Sequence, residues 1–259
     1  MTTRRSLLKA ALLINGLPKL AGCSFRPHQQ RIFVAKSLER TIHALTQKGA
    51  PLAAVQVVSA GSQSIARQIA ATRRGDLIIS ADVHWVNWLQ ERSLILPGSR
   101  RGLLHNELVI AAHHESPLKL SSLTDLTFIQ YQALYMGDPL SVPAGRYGKL
   151  LLKRENIWQK LQGKLRTTVN VRGALAPSQS RKDTLSLVYA TDVKNDPLTK
   201  IIYRGFSNPE EIVYVAAILS TTTDLHRAQT LLNTLQSDLV HSFFLRDGFI
   251  VPGNSGHLS

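Results

Sequence analysis

The amino-acid sequence predicts an α/β protein in which helices flank parallel β-sheets. Apolar runs of about four to eight residues alternate along the chain with stretches whose apolar residues recur at helical spacing. This alternation is typical of βαβ units with right-handed crossovers. The 259 residues, 44% of them hydrophobic and 19% charged, suffice for one large domain or for two lobes with a sizeable core.

The first 23 residues are predicted to be an export signal rather than part of the fold. Arg4 and Arg5 resemble the centre of a twin-arginine signal, and the apolar run at 10–17 is far shorter than the ~20 residues of a membrane-spanning helix. The motif LAGC at 20–23 resembles a lipoprotein processing site and contains Cys23, the only cysteine. A buried structural thiol is the alternative. Its position after small residues favours lipidation, so we expect a lipoprotein anchored in the periplasm or on the outer face of the cell membrane.

Residues 24–30 form a polar linker, and the elements of the fold follow it in order. Each predicted strand is a short apolar run, and the first two predicted helices begin just after a serine, a residue favoured at helix starts. The predicted elements of the first part are strands at 31–35, 55–59, 77–80 and 107–112, with helices at 38–48, 63–72 and 85–90 between them.

The second part of the chain repeats the alternation. Its predicted elements lie at 127–131, 149–154, 171–175, 185–190 and 212–218. Residues 224–244 carry leucines at helical spacing, and residues 253–259 are expected to be a loose tail.

The charge balance favours an anionic partner. Lys and Arg number 31 against 17 Asp and Glu, a net charge of +14. Such an excess suits nucleic acid, an anionic membrane or a small anion. The basic residues are scattered, aromatic residues make up 6%, and no nucleic-acid-binding module stands out, which argues against nucleic acid.

Several candidate site residues stand where strands give way to helices. Ser37 and Ser62 open predicted helices, Ala144 follows Pro143 at another, and Tyr189 ends an apolar strand. Each has an ordinary structural explanation as a helix cap, a first-turn proline or a core tyrosine. Together they would meet at the carboxyl edge of a parallel sheet, where helix N-termini present free N–H groups. The combination predicts a receptor for a small oxyanion.

Six segments of the chain also occur in a distinctive order. They are VAKSLE (34–39), GSQSIARQIAATRRGDLIISAD (61–82), GDPLSVPAGRYGK (137–149), NVRGAL (170–175), LVYATD (187–192) and RDGFIV (246–251). This order resembles the periplasmic molybdate-binding proteins of bacterial ABC transporters over residues 31–251. The resemblance implies a two-lobed periplasmic-binding-protein fold, with lobe 1 at 31–108 plus 219–252 and lobe 2 at 109–218. It also implies a monomer that holds molybdate, and tungstate, in the interlobe cleft and delivers it to a membrane permease.

The resemblance implies a set of ligand contacts made by hydroxyl and backbone donors. These contacts fall on Ser37, Ser62, Ala144, Val171 and Tyr189. The metal enters only inside the oxyanion, so no side chain is expected to ligate molybdenum, and neither a cofactor nor a catalytic residue is expected. The chain departs from the family pattern at Lys36, Pro177 and Ser186, and we expect Lys36 to lie at the cleft rim and steer the anion.

Other functions remain as alternatives. A receptor for sulfate or phosphate on the same scaffold is the nearest one. A secreted hydrolase is more remote, because GNSG at 253–256 stands in a polar tail and neither a G-x-S-x-G elbow nor a P-loop occurs. His113, His114 and Glu115 suggest a metal, but adjacent histidines on a strand should point to opposite sides.

Overall fold

Strands and helices alternate through the part of the chain that the structure describes. The structure, a computed structural model, describes residues 29–194, 196–205, 207–208 and 211–252. The predicted export signal with Arg4, Arg5 and Cys23 lies outside these residues, as do most of the linker and the predicted tail.

The described strands and helices are numbered in chain order. The strands are β1 (Arg31–Ala35), β2 (Gln56–Ala60), β3 (Leu77–Ser80), β4 (Arg101–His105), β5 (Leu108–His113), β6 (Ala133–Gly137), β7 (Leu165–Thr168), β8 (Thr184–Tyr189), β9 (Thr199–Tyr203) and β10 (Val213–Ile218). The α-helices are α1 (Glu39–Leu45), α2 (Ser62–Thr72), α3 (Val83–Gln90), α4 (Pro143–Arg154), α5 (Val171–Ser180), α6 (Ala190–Lys194), α7 (Leu225–Leu235) and α8 (Asp238–Arg246). Short 3₁₀ helices span Lys36–Leu38 and Leu123–Thr127.

The first sheet has the strand order β2-β1-β3-β10-β4. β1 runs parallel to β2 and β3, whereas β10 runs antiparallel to β3 and β4. Ile32 and Val34 belong to one hydrophobic cluster and Phe33 to the other. β1 is therefore buried on both faces, as a strand at the middle of an α/β sheet should be.

The second sheet has the strand order β7-β6-β8-β5-β9. β6 runs parallel to β7 and β8, and β5 runs antiparallel to β8 and β9. The carboxyl ends of the parallel strands in each sheet precede the starts of α2, α4 and α5. This arrangement places several helix N-termini at the edges of the sheets.

The two-lobed α/β fold is confirmed, but the sheets are mixed rather than mostly parallel. Both antiparallel strands follow a passage of the chain from one sheet to the other: β5 follows β4, and β10 follows β9. A strand that arrives from the other sheet, and not through a helix on its own sheet, is free to run antiparallel. β10 pairs within the first sheet, so it belongs to lobe 1. Lobe 2 therefore ends before Val213, and its predicted end at residue 218 is too late.

Element predictions succeed where the sequence has an apolar run and fail at three of the four edge strands. β1 and β3 coincide with the predicted strands. The strands β4, β7 and β9 went unpredicted because each is a partly exposed edge strand without an apolar run. The element expected at 127–131 is wrong, because the strand of that region is β6. The leucine-rich stretch divides into α7 and α8, and Ser237 caps the second helix.

Among the described residues, no helix combines the length and apolar character that crossing a bilayer requires.

Candidate ligand-binding site

The five predicted contact residues line one cavity where the two sheets face each other. Ser37 and Ser62 come from the side of the first sheet, and Ala144, Val171 and Tyr189 from the side of the second. The cavity has a volume of only about 20 Å³. The two sides are therefore nearly closed on each other. No Asp or Glu of the described residues is part of its lining.

Each contact residue stands at the end of a strand or the beginning of a helix. Ser37 follows β1 within a 3₁₀ helix, and Ser62 is the first residue of α2. Ala144 lies in the first turn of α4, and Val171 is the first residue of α5. Tyr189 is the last residue of β8. The first N–H groups of a helix have no acceptor within that helix, so these positions supply hydrogen-bond donors.

The N-terminus of α4 reaches the cavity because two glycines allow close packing. A Cβ at Gly145 would overlap the backbone of Gly137, and a Cβ at Gly137 would overlap Val142. Pro143 occupies the first helical position, where its missing N–H is not needed. Consequently the N–H of Ala144 is the first donor of this helix.

The N-terminus of α5 is capped by a side chain outside its first turn. Asn170 Oδ1 accepts a hydrogen bond from the N–H of Gly173 at 2.8 Å. The N–H groups of Val171 and Arg172 precede that bond and have no acceptor within the helix. They are available to an anion at the mouth of α5.

The three hydroxyl groups of the site are buried and differ in their partners. Ser37 Oγ lies 2.8 Å from Tyr214 Oη, and Ser62 Oγ accepts from the N–H of Ala81 at 3.2 Å. The hydroxyl of Tyr189 has no hydrogen-bond partner among the described residues, and this side chain is 1% exposed. Burial raises the pKa of Tyr189 well above its ordinary value, so the phenol stays protonated and can donate.

Polar contacts join the two sides around the cavity. Arg146 Nη2 of α4 lies 3.1 Å from Asp82 Oδ2, which is at the N-cap of α3. Trp85 Nε1 donates to the carbonyl of Ser141 at 3.2 Å. Burial raises the pKa of Asp82, and the charge of Arg146 opposes that rise. These contacts belong to a closed arrangement of the two lobes.

A second ion-pair bridge involves the unusual Lys36. Its Nζ lies 2.6 Å from Glu39 Oε1, while Glu39 Oε2 lies 3.1 Å from Arg172 Nη1 on the opposite side. Burial raises the pKa of Glu39, but Lys36 and Arg172 together outweigh it and leave that pKa lowered. Lys36 does line the cavity, with its ammonium group paired. Its predicted steering role stays a prediction.

The other two departures from the family pattern lie outside the cavity lining. Ser186 Oγ donates to the carbonyl of Ala174 at 2.7 Å and lies 2.7 Å from Ser178 Oγ, which fastens α5 to β8. Pro177 is accommodated inside α5, which continues to Ser180. Both act on the scaffold behind Val171 rather than on the ligand.

A larger cavity on the far side of Ser37 has a different character. It has a volume of about 340 Å³, and its lining includes Arg40 and Arg172 together with Asp192, Asp196 and Asp247. Burial raises the pKa of Asp192 to about 7, against the opposing charges of Arg172 and Arg40. Its carboxylates make this cavity a poor place for an oxyanion.

The histidine cluster is more compact than predicted. The ligand atoms of His113, His114 and Glu115 lie within 4.8 Å of one another, so the expectation of opposite orientations is wrong. β5 ends at His113, and the alternation of a strand does not extend to His114. Glu115 is paired with Lys182 at 2.7 Å, and His113 Nδ1 accepts from the N–H of Glu115 at 3.1 Å. The cluster is away from the cavity, and the GNSG segment lies outside the described residues.

Two residues next to the cavity were missed by the sequence analysis. Tyr214, the second residue of β10, contacts Ser37. Asn106, at the passage from β4 to β5, contacts Tyr214 at 3.2 Å. Tyr214 has the sequence context of a core residue, and Asn106 stands in a short connection. No local signal distinguishes either of them.

Comparison with known proteins identifies the family. The sequence model of the bacterial extracellular solute-binding proteins matches residues 31–250. The chain belongs to this family. The solute-binding protein is 34% identical over 177 residues to the molybdate-binding protein ModA of Escherichia coli, covering 66% of this chain and 69% of that protein. It is 27% identical over 250 residues to ModA of Haemophilus influenzae, covering 93% and 96%. The resemblance to molybdate-binding proteins is confirmed.

Solved structures show the same fold around the solute-binding site. The periplasmic molybdate-binding protein of Azotobacter vinelandii matches with a TM-score of 0.74 at 19% identity, over 86% of this chain and 99% of that one. The sulfate-binding protein SubI of Mycobacterium tuberculosis matches with a TM-score of 0.69 at 13% identity, over 87% and 88%. Because proteins for different ligands share the fold, the choice of ligand depends on the residues of the site.

Proposed function

We propose that this solute-binding protein captures molybdate between its lobes and delivers it to the permease of an ABC transporter. The observation that carries the proposal is that Ser37, Ser62, Ala144, Val171 and Tyr189 line one cavity, to which no carboxylate of the described residues contributes. The identity to the two curated molybdate-binding proteins supports the same ligand.

The chemistry of the cavity suits a fully deprotonated tetrahedral oxyanion. Such a dianion offers four acceptor oxygens and needs only donors, which the hydroxyls and the helix N-termini supply. A protonated oxyanion would bring a hydrogen for which the described lining offers no carboxylate acceptor, and unmatched polar groups lower affinity. Tungstate has the same charge and shape, so we propose that it binds as well.

Sulfate is the strongest alternative ligand, because a sulfate-binding protein shares the fold. Sulfate is also a dianion, so charge does not distinguish it from molybdate. The discrimination must come from the size of the closed cavity and the reach of its donors. Phosphate is a weaker candidate because it retains a proton at neutral pH.

Titration calorimetry and thermal unfolding with the four oxyanions test the proposal. Molybdate and tungstate should bind most tightly and raise the free energy of unfolding by about 4 kcal/mol at a thousandfold excess over Kd. Sulfate and phosphate should need much higher concentrations for the same effect. Tighter binding of sulfate than of molybdate would contradict the proposal and indicate a sulfate receptor instead.

The proposed setting is extracytoplasmic. The twin-arginine pattern at Arg4 and Arg5 and the lipidation motif at Cys23 support export and anchoring by a lipid. We take the protein to act as a monomer and as a binding protein rather than an enzyme, with the permease as its partner.

A further inference from the structure

A buried chain of hydrogen bonds leads from the passage between the sheets to the cavity. Asn106 Nδ2 lies 2.9 Å from Thr191 Oγ1 and 3.2 Å from Tyr214 Oη, and Tyr214 Oη lies 2.8 Å from Ser37 Oγ. Asn106 is 1% exposed and Tyr214 is 0% exposed. Of these residues, only Ser37 lines the cavity.

The direction of this chain follows from the chemistry of its first member. Asn106 Oδ1 accepts from the N–H of Glu107 at 2.9 Å, which fixes the orientation of the amide. The nitrogen of the amide can only donate, so Tyr214 Oη accepts from it. The hydrogen of Tyr214 is then left for Ser37 Oγ, and the hydrogen of Ser37 is left for the cavity.

We propose that Asn106 and Tyr214 are positioning residues that make the Ser37 hydroxyl a donor to the bound oxyanion. We call the hydrogen-bonded series Asn106, Tyr214 and Ser37 the relay. The inference rests on the proposed function, since it concerns the same site. The Ser62 hydroxyl is oriented by a single bond, because its Oγ accepts from the backbone N–H of Ala81. Both serines therefore have a hydrogen left to donate, and each already uses one of its acceptor positions within the protein.

A double-mutant cycle with molybdate as the titrant tests the relay. Tyr214→Phe removes the hydrogen directed at Ser37, so it should lower the affinity of the otherwise unchanged protein about tenfold. In the Ser37→Ala background the same substitution should change the affinity less than about twofold, because the group that it orients is gone. Equal losses in both backgrounds would overturn the relay.

Asn106→Asp reverses the direction of the chain, because an ionised carboxylate can only accept. Tyr214 would then donate to the new carboxylate, and Ser37 would lose the bond that orients it. Molybdate affinity should fall by more than the tenfold expected for Tyr214→Phe and should recover as the pH is lowered and the new carboxyl gains a proton. The new carboxylate also repels the oxyanion directly. This repulsion is the same with Ser37 and with Ser37→Ala, so comparing the effect of Asn106→Asp in the two proteins cancels it. If this variant does not fold, the Tyr214→Phe cycle decides alone.

The ratio of phosphate affinity to molybdate affinity is a second measurement. A general loss of packing should lower both affinities and leave this ratio unchanged. With Tyr214→Phe, Ser37 is free to turn and accept, so the relative affinity for phosphate should rise. Tyr131→Phe is the matched control, because its buried hydroxyl donates to the carbonyl of Leu126 at 3.0 Å and is remote from the cavity. It should leave both affinities unchanged. Failure of the unaltered protein to bind any oxyanion would refute the proposed function and the relay together, whereas binding without coupling would refute the relay alone.

Discussion

The hydroxyl of Tyr189 is suited to binding a ligand rather than to stabilising the fold. It is buried without a hydrogen-bond partner among the described residues, which costs free energy when the lobes close without a ligand. An oxyanion in the cavity would accept a hydrogen bond from it. A bound oxyanion therefore removes a cost that closure alone imposes at this position.

Tyr189→Phe should therefore move affinity and stability in different directions. We expect molybdate affinity to fall about tenfold to a hundredfold, while the free energy of unfolding without ligand stays the same or rises. Calorimetric titration and thermal denaturation measure the two effects. In the control, Tyr131→Phe should keep its affinity and lose about 1 kcal/mol of stability, since its hydroxyl is already bonded. Wild-type affinity in Tyr189→Phe would exclude this phenol as a ligand.

Ser62 should behave differently because it has a structural partner. Ser62→Ala removes a donor to the ion and also leaves the buried N–H of Ala81 without its acceptor. We expect both the molybdate affinity and the unfolding free energy to decrease, each by about 1 to 3 kcal/mol. Ala144→Gly is the comparison, because it retains the backbone N–H and should change affinity far less. A Ser62→Ala protein that loses stability but keeps its affinity would assign this serine to the scaffold.

The sequence was sufficient to find the residues that stand at junctions. Ser37 and Ser62 each follow a buried apolar run, and their position at helix starts has a physical meaning that is local. Tyr214 has no such sign, because its role depends on Ser37, which is 177 residues away. Asn106 likewise acquires its role from two hydroxyls that the fold brings to it.

At the scale of elements, the helix starts are positioned by the strands before them. β1 and β3 were predicted to the residue because both of their faces are buried, which produces continuous apolar runs. The edge strands β4, β7 and β9 are partly exposed and carry no such run. The order of strands within each sheet is a property of the tertiary structure, and the antiparallel direction of β5 and β10 was not visible in the sequence.

The helices α3 and α4 meet across the cleft through Asp82 and Arg146. Arg146→Met should leave the Asp82 carboxylate buried without a cation, which disfavours the closed state. We expect molybdate to dissociate at least about tenfold faster, as measured by stopped-flow fluorescence. The pKa of Asp82 is already raised by burial and should rise further. A raised carboxyl pKa favours the closed state at low pH, so the affinity of this variant should decrease as the pH rises through that pKa.

Two further variants separate this effect from a general loss of positive charge. Lys153→Met removes an exposed cation from the same helix and should leave the dissociation rate unchanged. Adding Asp82→Asn to Arg146→Met should restore slow dissociation, because asparagine keeps the helix cap without the charge. Unchanged dissociation in Arg146→Met would show that this ion pair does not hold the lobes together.

At the scale of the whole molecule, the exported protein should be attached to the membrane through Cys23. Cys23→Ala is expected to move the protein from the membrane fraction to the soluble fraction, because only the full multi-chain lipid gives stable attachment. Cell fractionation with immunodetection measures the distribution. Ser24→Ala is the matched control and should remain membrane-bound. A wild-type protein recovered entirely in soluble form would contradict the anchor.

The two sheets are joined by polar contacts that only a closed arrangement can make. Trp85 bonds to Ser141, Asp82 pairs with Arg146, and Glu39 pairs with Arg172 across the cleft. The Glu39–Arg172 pair is partly exposed and therefore weak, and the Asp82–Arg146 pair must offset the cost of burying a carboxylate. Without an anion to satisfy the buried donors, the lobes should therefore separate by a hinge motion. Small-angle X-ray scattering should give a larger radius of gyration without molybdate, and a curve matching this closed structure when molybdate is saturating. At a molybdate concentration that saturates the wild type but lies below the Kd of Tyr189→Phe, that variant should remain extended. Identical curves with and without molybdate would refute closure as the mode of capture.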